Sequence, residues 1–276
     1  MIPLRIMTFN LRYATAQDGK NSWEYRKHVL FNVIERSQPC VIGTQEGLDF
    51  QLGEIIDNTT GYERYERLGL ARDGDQSEYC AILVNTSKLK VLDTGNFWLS
   101  ETPDLFGSRS WDTSWVRMVT WAVFLNEVDN RKFCVFNTHF DHVSEEARQK
   151  SAVLVWDRIK HLRQNLPVFL VGDFNANRNS AAWNFLTGRQ KLESKRGQMK
   201  DAWLETEEQI GSVAETYHGF RGHVPDESCE VTGRAHIDWI LFYPWMKVAS
   251  VEIITDNEIG LYPSDHYPVL ANFELL

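Results

Sequence analysis

Two periods organise the apolar positions of this chain. Leu4 to Asn10 runs or alternates apolar, as a strand does, and similar runs occupy Cys80–Asn85, Lys90–Leu99, Met118–Asn126 and Lys132–Thr138. "CVIGTQE" reads as a short buried strand ending at Glu46, and "PVFLVGD" as another ending at Asp173. Ile237–Phe242, Lys247–Ile254 and Val269–Glu274 complete the strand set. The second period is helical. In Trp23–Ser37 it brings Val29, Leu30, Val33 and Ile34 to one face, with Pro39 just past the end. A helix is predicted over Phe50–Asn58, and one from a Ser144 N-cap to about Gln164, with Glu145 and Glu146 in the first turn. A short helix follows near Ser180–Leu186. Many adjacent strands and few long helices predict a mixed sheet system with helices outside it.

The strand ends break the apolar pattern. One Asp at a strand end is usually a turn former. Here the runs end on Asn10, on Glu46, on "NTHFDH" with His139, on Asp173 and Asn175, and at "RAHIDW" with Asp238; Asp265 and His266 precede the last strand. Six such ends are more than turns require. If they share one edge of the sheets, they form one polar pocket over an apolar core.

Composition supports a large core: 43% of the 276 residues are hydrophobic and 12% aromatic. Without a Pro-, Gly- or Ser-rich linker, residues 1–276 read as one domain. No run reaches the ~18 apolar residues of a membrane span. "MIPLRIMTFN" reads as a first strand, not a signal peptide. Cys40, Cys80, Cys134 and Cys229 are scattered and form no CxxC pair, so buried thiols in a reducing cytoplasm are expected. The net charge of −9 argues against a stable complex with duplex nucleic acid, which needs a broad cationic surface. Ser100–Val116 and Gly188–Arg234, long and polar, are candidate substrate loops.

The polar ends have a definable chemistry. Glu46, Asn10 and Asp265 are hard oxygen donors of the kind Mg²⁺ or Mn²⁺ takes. Asp173 and Asn175, two apart on extended chain, point to the same side and could hold an attacking water. His266 could take a proton or bind a phosphate oxygen, its ring oriented by a carboxylate such as Asp238. This set suits metal-assisted hydrolysis of a phosphate ester.

"MTFNLR", "GTQE", "NTHFDH", "GDFNAN", "HIDWI" and "SDHYPV" resemble, in order and approximate spacing, the endonuclease/exonuclease/phosphatase superfamily with its deoxyribonuclease-I-like fold. "SEYCAILVN", "FWLSETP" and "VRMVTWAVF" resemble a bacterial branch nearer its deadenylase and nocturnin side than its abasic-site nucleases. The resemblance implies an α+β fold, a four-layer α/β/β/α sandwich, and a divalent metal. It implies Glu46 as main metal ligand with Asn10 and Asp265 beside it, and Asp173 and Asn175 positioning the nucleophile. It pairs Asp238 with His266 and gives His139 the scissile phosphate, oriented by Glu78. Arg117 and His218 become substrate-phosphate contacts. One position departs from the pattern: His236 stands where many relatives carry Arg, so that residue's role is open or falls to Arg234.

Three other readings compete. "NTHFDH" is one residue short of a dinuclear-zinc motif, with Asn137 in the first His position, and that motif leaves Glu46, Asp173/Asn175 and Asp265/His266 unexplained. A silent phosphate-ligand module would not need the complete polar set. A nuclease acting on single-stranded ends could replace cationic contacts by stacking on Trp98, Trp111, Trp115 or Trp121, although a core place is expected for Trp121. The acidic and mixed loops favour a small phosphorylated substrate, a sugar phosphate or nucleotide.

Overall fold

The computed structural model describes residues 4–59, 64–162, 165–211, 213–223, 236–243 and 245–275. In chain order the strands and helices are β1 (Leu4–Asn10), α1 (Trp23–Ser37), β2 (Val41–Gln45), α2 (Asp49–Asn58), β3 (Tyr65–Leu68), β4 (Ile82–Asn85), β5 (Leu89–Trp98), β6 (Met118–Asn126), β7 (Arg131–His139), α3 (Glu145–Leu162), β8 (Val168–Asp173), α4 (Ala181–Leu186), β9 (Lys200–Asp201), α5 (Ala202–Glu205), β10 (Glu208–Ile210), β11 (Asp238–Tyr243), β12 (Met246–Ile253) and β13 (Val269–Leu275). One sheet has the order β10-β12-β13-β1-β2-β4-β3, the other β5-β6-β7-β8-β11-β9. The expected strands and long helices are present within a few residues of their predicted ends. The short β3, β9 and β10, and α5, were not expected.

Strand periodicity builds four layers. Ile6, Val41, Val135, Phe169, Val171, Ile240 and Phe242 face the space between the sheets and form its core. The alternate residues face outward. Met7, Phe9 and Ile42 pack with Leu30, Val33 and Ile34 of α1 and Leu52 and Ile55 of α2. Phe136, Leu170, Trp239 and Leu241 pack with Val155, Trp156 and Ile159 of α3 and Trp183 and Phe185 of α4. Each fully buried Leu or Phe side chain contributes about 1.5–3 kcal/mol, so three such layers set the spacing of the sheets. This is the expected α/β/β/α sandwich.

The same periodicity explains the polar ends. Asp173 shares a face with Phe169 and Val171, Asp238 with Ile240 and Phe242, and His139 with Val135. Each continues the intersheet face one step beyond the apolar core. Parallel pairing sets His139 beside Asp173, and antiparallel pairing sets Asp238 on its other side. Below this row lies a polar layer: Gln45 donates to Asn137 Oδ1 at 2.7 Å, and Asn137 donates to the carbonyls of Thr44 and Ala81 at 2.8 Å each. Asn137, the first position of the zinc-like motif, is thus spent on joining the sheets. Cys40, Cys80 and Cys134 are buried; Cys229 and Arg234 lie outside the described residues. Among the described residues, no helix is long and apolar enough to cross a membrane.

Candidate active site

The C-terminal ends of β1, β2, β7 and β8, the start of β11 and the segment before β13 converge on a cavity of about 530 Å³. Glu46, His139, Asp173, Asn175, Asp265 and His266 line it, with Arg12, Arg72, Glu78, Trp115, Arg117, His142 and Tyr217 around them. Asp238 and Asn10 sit just beneath, buried and bonded to the lining residues.

Asp173 is the centre. Its Oδ1 accepts from the Asn175 amide at 2.9 Å; its Oδ2 accepts from Asn10 Nδ2 at 3.0 Å and lies 3.4 Å from His139 Nε2. Asn175, with a left-handed φ of 46°, turns its side chain back so that Nδ2 meets the Phe140 carbonyl at 3.1 Å and His139 Nε2 at 3.0 Å. His266 Nδ1 bonds Asp238 Oδ2 at 2.9 Å, and its Nε2 lies 3.9 Å from Asp173 Oδ2. One imidazole therefore stands between two carboxylates.

Their environments differ in sign. Burial, reinforced by Asp238, pushes the Asp173 carboxyl up to about 7. Burial alone would lower His266, but Asp238 and Asp173 outweigh it and raise the imidazolium to about 10. Burial and the charges of Arg117 and Arg72 hold His139 well below its ordinary value, which keeps it neutral. The site thus holds one cationic and one neutral histidine.

Asn10 differs from expectation. Its Oδ1 accepts from the Arg12 amide at 3.0 Å, and its Nδ2 donates to Glu46 Oε1 at 3.1 Å as well as to Asp173. A backbone N–H only donates and carboxylates only accept, so the chemistry fixes this orientation. In this arrangement Asn10 bridges the two carboxylates through its NH₂ group, while its Oδ1 faces the Arg12 amide. Glu78 also differs: it pairs with Arg72 at 2.9 Å, and among the described residues that pairing takes the place of the expected contact with His139. His218 is absent from the cleft lining. Its ring is buried against Tyr267 at 4.0 Å and Tyr262 at 4.7 Å, and its backbone amide donates to the Asp265 carbonyl. Its neighbour Tyr217 lines the cleft instead, packed 5.0 Å from His266.

The donor set fits a divalent cation. Glu46, His139 and Asp173 each bring a ligand atom within 4.8 Å of one another. Asp265 faces the same cleft, its carboxyl raised by burial and by the Glu46 charge. Carboxylates pressed together in a buried place are what a hard cation stabilises. In the second cluster, Asp173, Asp238 and His266, the His266 Nδ1 is already bonded to Asp238, so that group works as a hydrogen-bond chain.

Some supporting residues had no sequence signal. Arg26 is fully buried and donates to the carbonyls of Pro263, Arg12 and Asn21, tying the segment before Asp265 to the loop after β1. Thr216 Oγ1 accepts from the amides of Ile237 and Asp238, and its carbonyl accepts from Tyr267, so one segment of the long polar loop holds both Asp238 and His266. At the departing position, His236 Nε2 accepts from Arg178 Nη2 at 2.8 Å, and Arg178 is ion-paired with Asp201 at 2.7 Å. The guanidinium there comes from the turn after β8, one residue beyond the cleft-lining Asn177. Of the tryptophans, Trp115 is half exposed at the cleft, Trp98 is buried, and Trp121 packs on Phe136.

Comparison with known proteins gives consistent relatives. The profile described as the Endonuclease/Exonuclease/phosphatase family matches residues 7–266. The crystal structure of an endonuclease/exonuclease/phosphatase from Bacteroides vulgatus superposes with a TM-score of 0.87 at 34% identity, over 100% of both chains. A mannosyl-6-phosphatase from Bacteroides thetaiotaomicron superposes at 0.84 with 28% identity, covering 98% of this chain and 99% of that one. Nocturnin of Drosophila melanogaster is 22% identical over 92% of this chain and 42% of its own length. The chain spans about half the length of the curated relatives it matches.

Proposed function

Because the chain belongs to the Endonuclease/Exonuclease/phosphatase family, whose members are metal-dependent phosphoester hydrolases, we propose that it hydrolyses the phosphate ester of a small phosphorylated metabolite, a sugar phosphate or nucleotide, by attack of water. Glu46, with Asp265 and Asp173 nearby, holds the cation; Mg²⁺ or Mn²⁺ suits such oxygen donors. Bound there, the cation supplies charge neutralisation for the phosphoryl oxygens. Asp173 accepts the proton of the attacking water, which the Asn175 amide orders. His266, kept cationic by Asp238, faces the charge that develops on phosphorus-bound oxygens. His139, neutral, contacts the phosphoryl group from the other side of Asp173.

The observation that carries the substrate reading is the cleft itself. About 530 Å³ is the size of a small-ligand pocket, and the three arginines in its lining are not extended into a basic stripe. Arg12 is paired with Asp18 and Arg72 with Glu78. The mannosyl-6-phosphatase relative, similar along nearly the whole chain, supports a small phosphomonoester. The test compares kcat/KM for sugar phosphates, nucleotides, oligoadenylate and plasmid DNA at ~0.15 M salt, where non-specific backbone binding is screened. Turnover of a small monoester above the others is expected. Efficient plasmid nicking with no small-ester turnover would overturn the reading.

A further inference from the structure

The chemistry above uses Glu46, His139, Asp173, Asn175, Asp238 and His266, and leaves Arg72, Glu78 and Trp115 of the cleft lining without a task. We propose that Trp115, Arg72 and Glu78 form a subsite for the ring of the sugar unit esterified to the scissile phosphate. The inference rests on the small-phosphoester reading and deepens it.

Trp115 is 51% exposed although it lines the cleft. The chain beside it is anchored, and its ring lies against a guanidinium. Its neighbour Ser114 is pinned to Asp141 Oδ1 through both its amide, at 2.9 Å, and its hydroxyl, at 2.6 Å. The Arg72 guanidinium carbon lies 5.2 Å from the Trp115 ring centroid, and the Arg72 carbonyl accepts from Trp98 Nε1 at 2.7 Å. An aromatic plane at the rim of a polar cleft suits the apolar face of a sugar ring.

The polar half of the subsite joins donors to an acceptor. Arg72 and Arg117 are both buried side chains that line the cleft; the Nε of each is enclosed by protein, and Arg72 Nε lies 3.9 Å from Asp73. Beside these donors stands an acceptor, Glu78, bonded to Arg72 Nη1 at 2.9 Å. A hydroxyl both donates and accepts, so it can satisfy guanidinium and carboxylate together. A second phosphate only accepts and has no hydrogen to offer Glu78, whereas a hydroxyl has. The mixed pair therefore suits a polyol.

Position decides which part of the substrate is read. Glu46, Arg72, Glu78, Arg117 and His139 share one small recess, so the pair adjoins the phosphate end of the cleft. The unit within its reach is the one esterified to the phosphate. In a hexose phosphate that unit is the pyranose; in a nucleotide it is the ribose, not the base. Either source offers the same chemistry, and the experiment separates them.

The test measures kcat/KM with Mg²⁺ for mannose 6-phosphate, glucose 6-phosphate, adenosine 5′-monophosphate and glycerol 3-phosphate, which has no ring. Wild type, Trp115→Ala, Trp115→Phe and Glu78→Gln are compared. In Trp115→Ala and Glu78→Gln the preference for a ring-bearing ester over glycerol 3-phosphate should fall about tenfold or more, mainly through KM. Trp115→Phe, which keeps an aromatic plane, should restore most of it. The better ring-bearing substrate then identifies the source of the sugar. An unchanged preference in both variants, or an equal fall for every ester, overturns the subsite while wild-type turnover leaves the phosphoesterase reading standing. No turnover of any small ester by wild type overturns both.

Discussion

Asn10 and Asp173 lie 163 residues apart in sequence and on different sheets, yet the Asn10 amide donates to Asp173 Oδ2 at 3.0 Å. The same NH₂ group reaches Glu46 Oε1 at 3.1 Å. One neutral donor thus spaces two carboxylates that would otherwise repel. Asn10→Ala should cost roughly 1–2 kcal/mol of stability through the lost hydrogen bonds. Asn10→Asp should be worse, because a third carboxylate raises Asp173 further. Denaturant unfolding of both variants checks the order; Asn10→Asp as stable as wild type at pH 7 would contradict it.

Glu46 is the test of the cation site. Glu46→Gln keeps the shape and the contact from Asn10 but removes a charge from the oxygen cluster. Calorimetric Mg²⁺ affinity should fall at least about tenfold, in line with the loss of a ligand charge. Metal-free stability should change little, since the relieved repulsion offsets the acceptor lost to the Tyr13 amide. Unchanged Mg²⁺ affinity would remove Glu46 from the site. Chelation of wild type should abolish turnover, and added Mg²⁺ should restore it.

How much of this could be read beforehand depends on where each residue sits. Asn10, Glu46, His139, Asp173 and Asp238 are at strand ends, where a polar residue interrupts a two-residue alternation and is visible as an interruption. α1 was legible at both ends because its apolar face is regular and Pro39 follows it. β3 was not, since "YERL" is polar and pairs only along one edge of its sheet. Arg72 and Tyr217 come from loops whose path is set by tertiary hydrogen bonds, and no period announces them. His218 falls outside the cleft lining for the converse reason. A histidine stacked on Tyr267 and tilted against Tyr262 has the same letter as one facing phosphate. Which atom Asn10 offers is likewise a matter of its three neighbours, not of its type.

The Asp238–His266 pair carries a pH dependence. The folded imidazolium titrates at about 10 against an ordinary 6.5, so its contribution to stability is complete below about 6.5 and is lost as pH rises through 10. Wild type should therefore lose stability between pH 7 and 10. Asp238→Asn removes the main charge holding the proton and should flatten that loss. It should also slow turnover at pH 7 by about 10²-fold or more, the scale of a lost acid–base or charge-stabilising group. Unfolding midpoints at pH 6, 8 and 10 for both proteins give the comparison. Parallel profiles would mean that His266 is not held cationic by Asp238.

Gly172 tests whether strand spacing governs the chemistry. It precedes Asp173 and pairs with Thr138 in the parallel β7–β8 ladder, with φ of 152°. A Cβ built there would lie 2.1 Å from the Thr138 carbonyl oxygen, a backbone atom that cannot rotate away. Gly172→Ala must therefore push β7 and β8 apart at the step that sets His139 beside Asp173. Overpacking of this kind costs roughly 1–3 kcal/mol, and strain from the positive φ adds to it. Activity should fall further than stability does, because the displaced atoms include the 3.4 Å approach of His139 Nε2 to Asp173 Oδ2. Gly53→Ala is the control: it lies in α2, where an added Cβ meets nothing within 4 Å, and it should be neutral or stabilising. Measuring the unfolding free energy and kcat/KM of both variants separates the two sites. A Gly172→Ala protein that folds and turns over like wild type would show that the β7–β8 spacing does not hold the His139–Asp173 geometry.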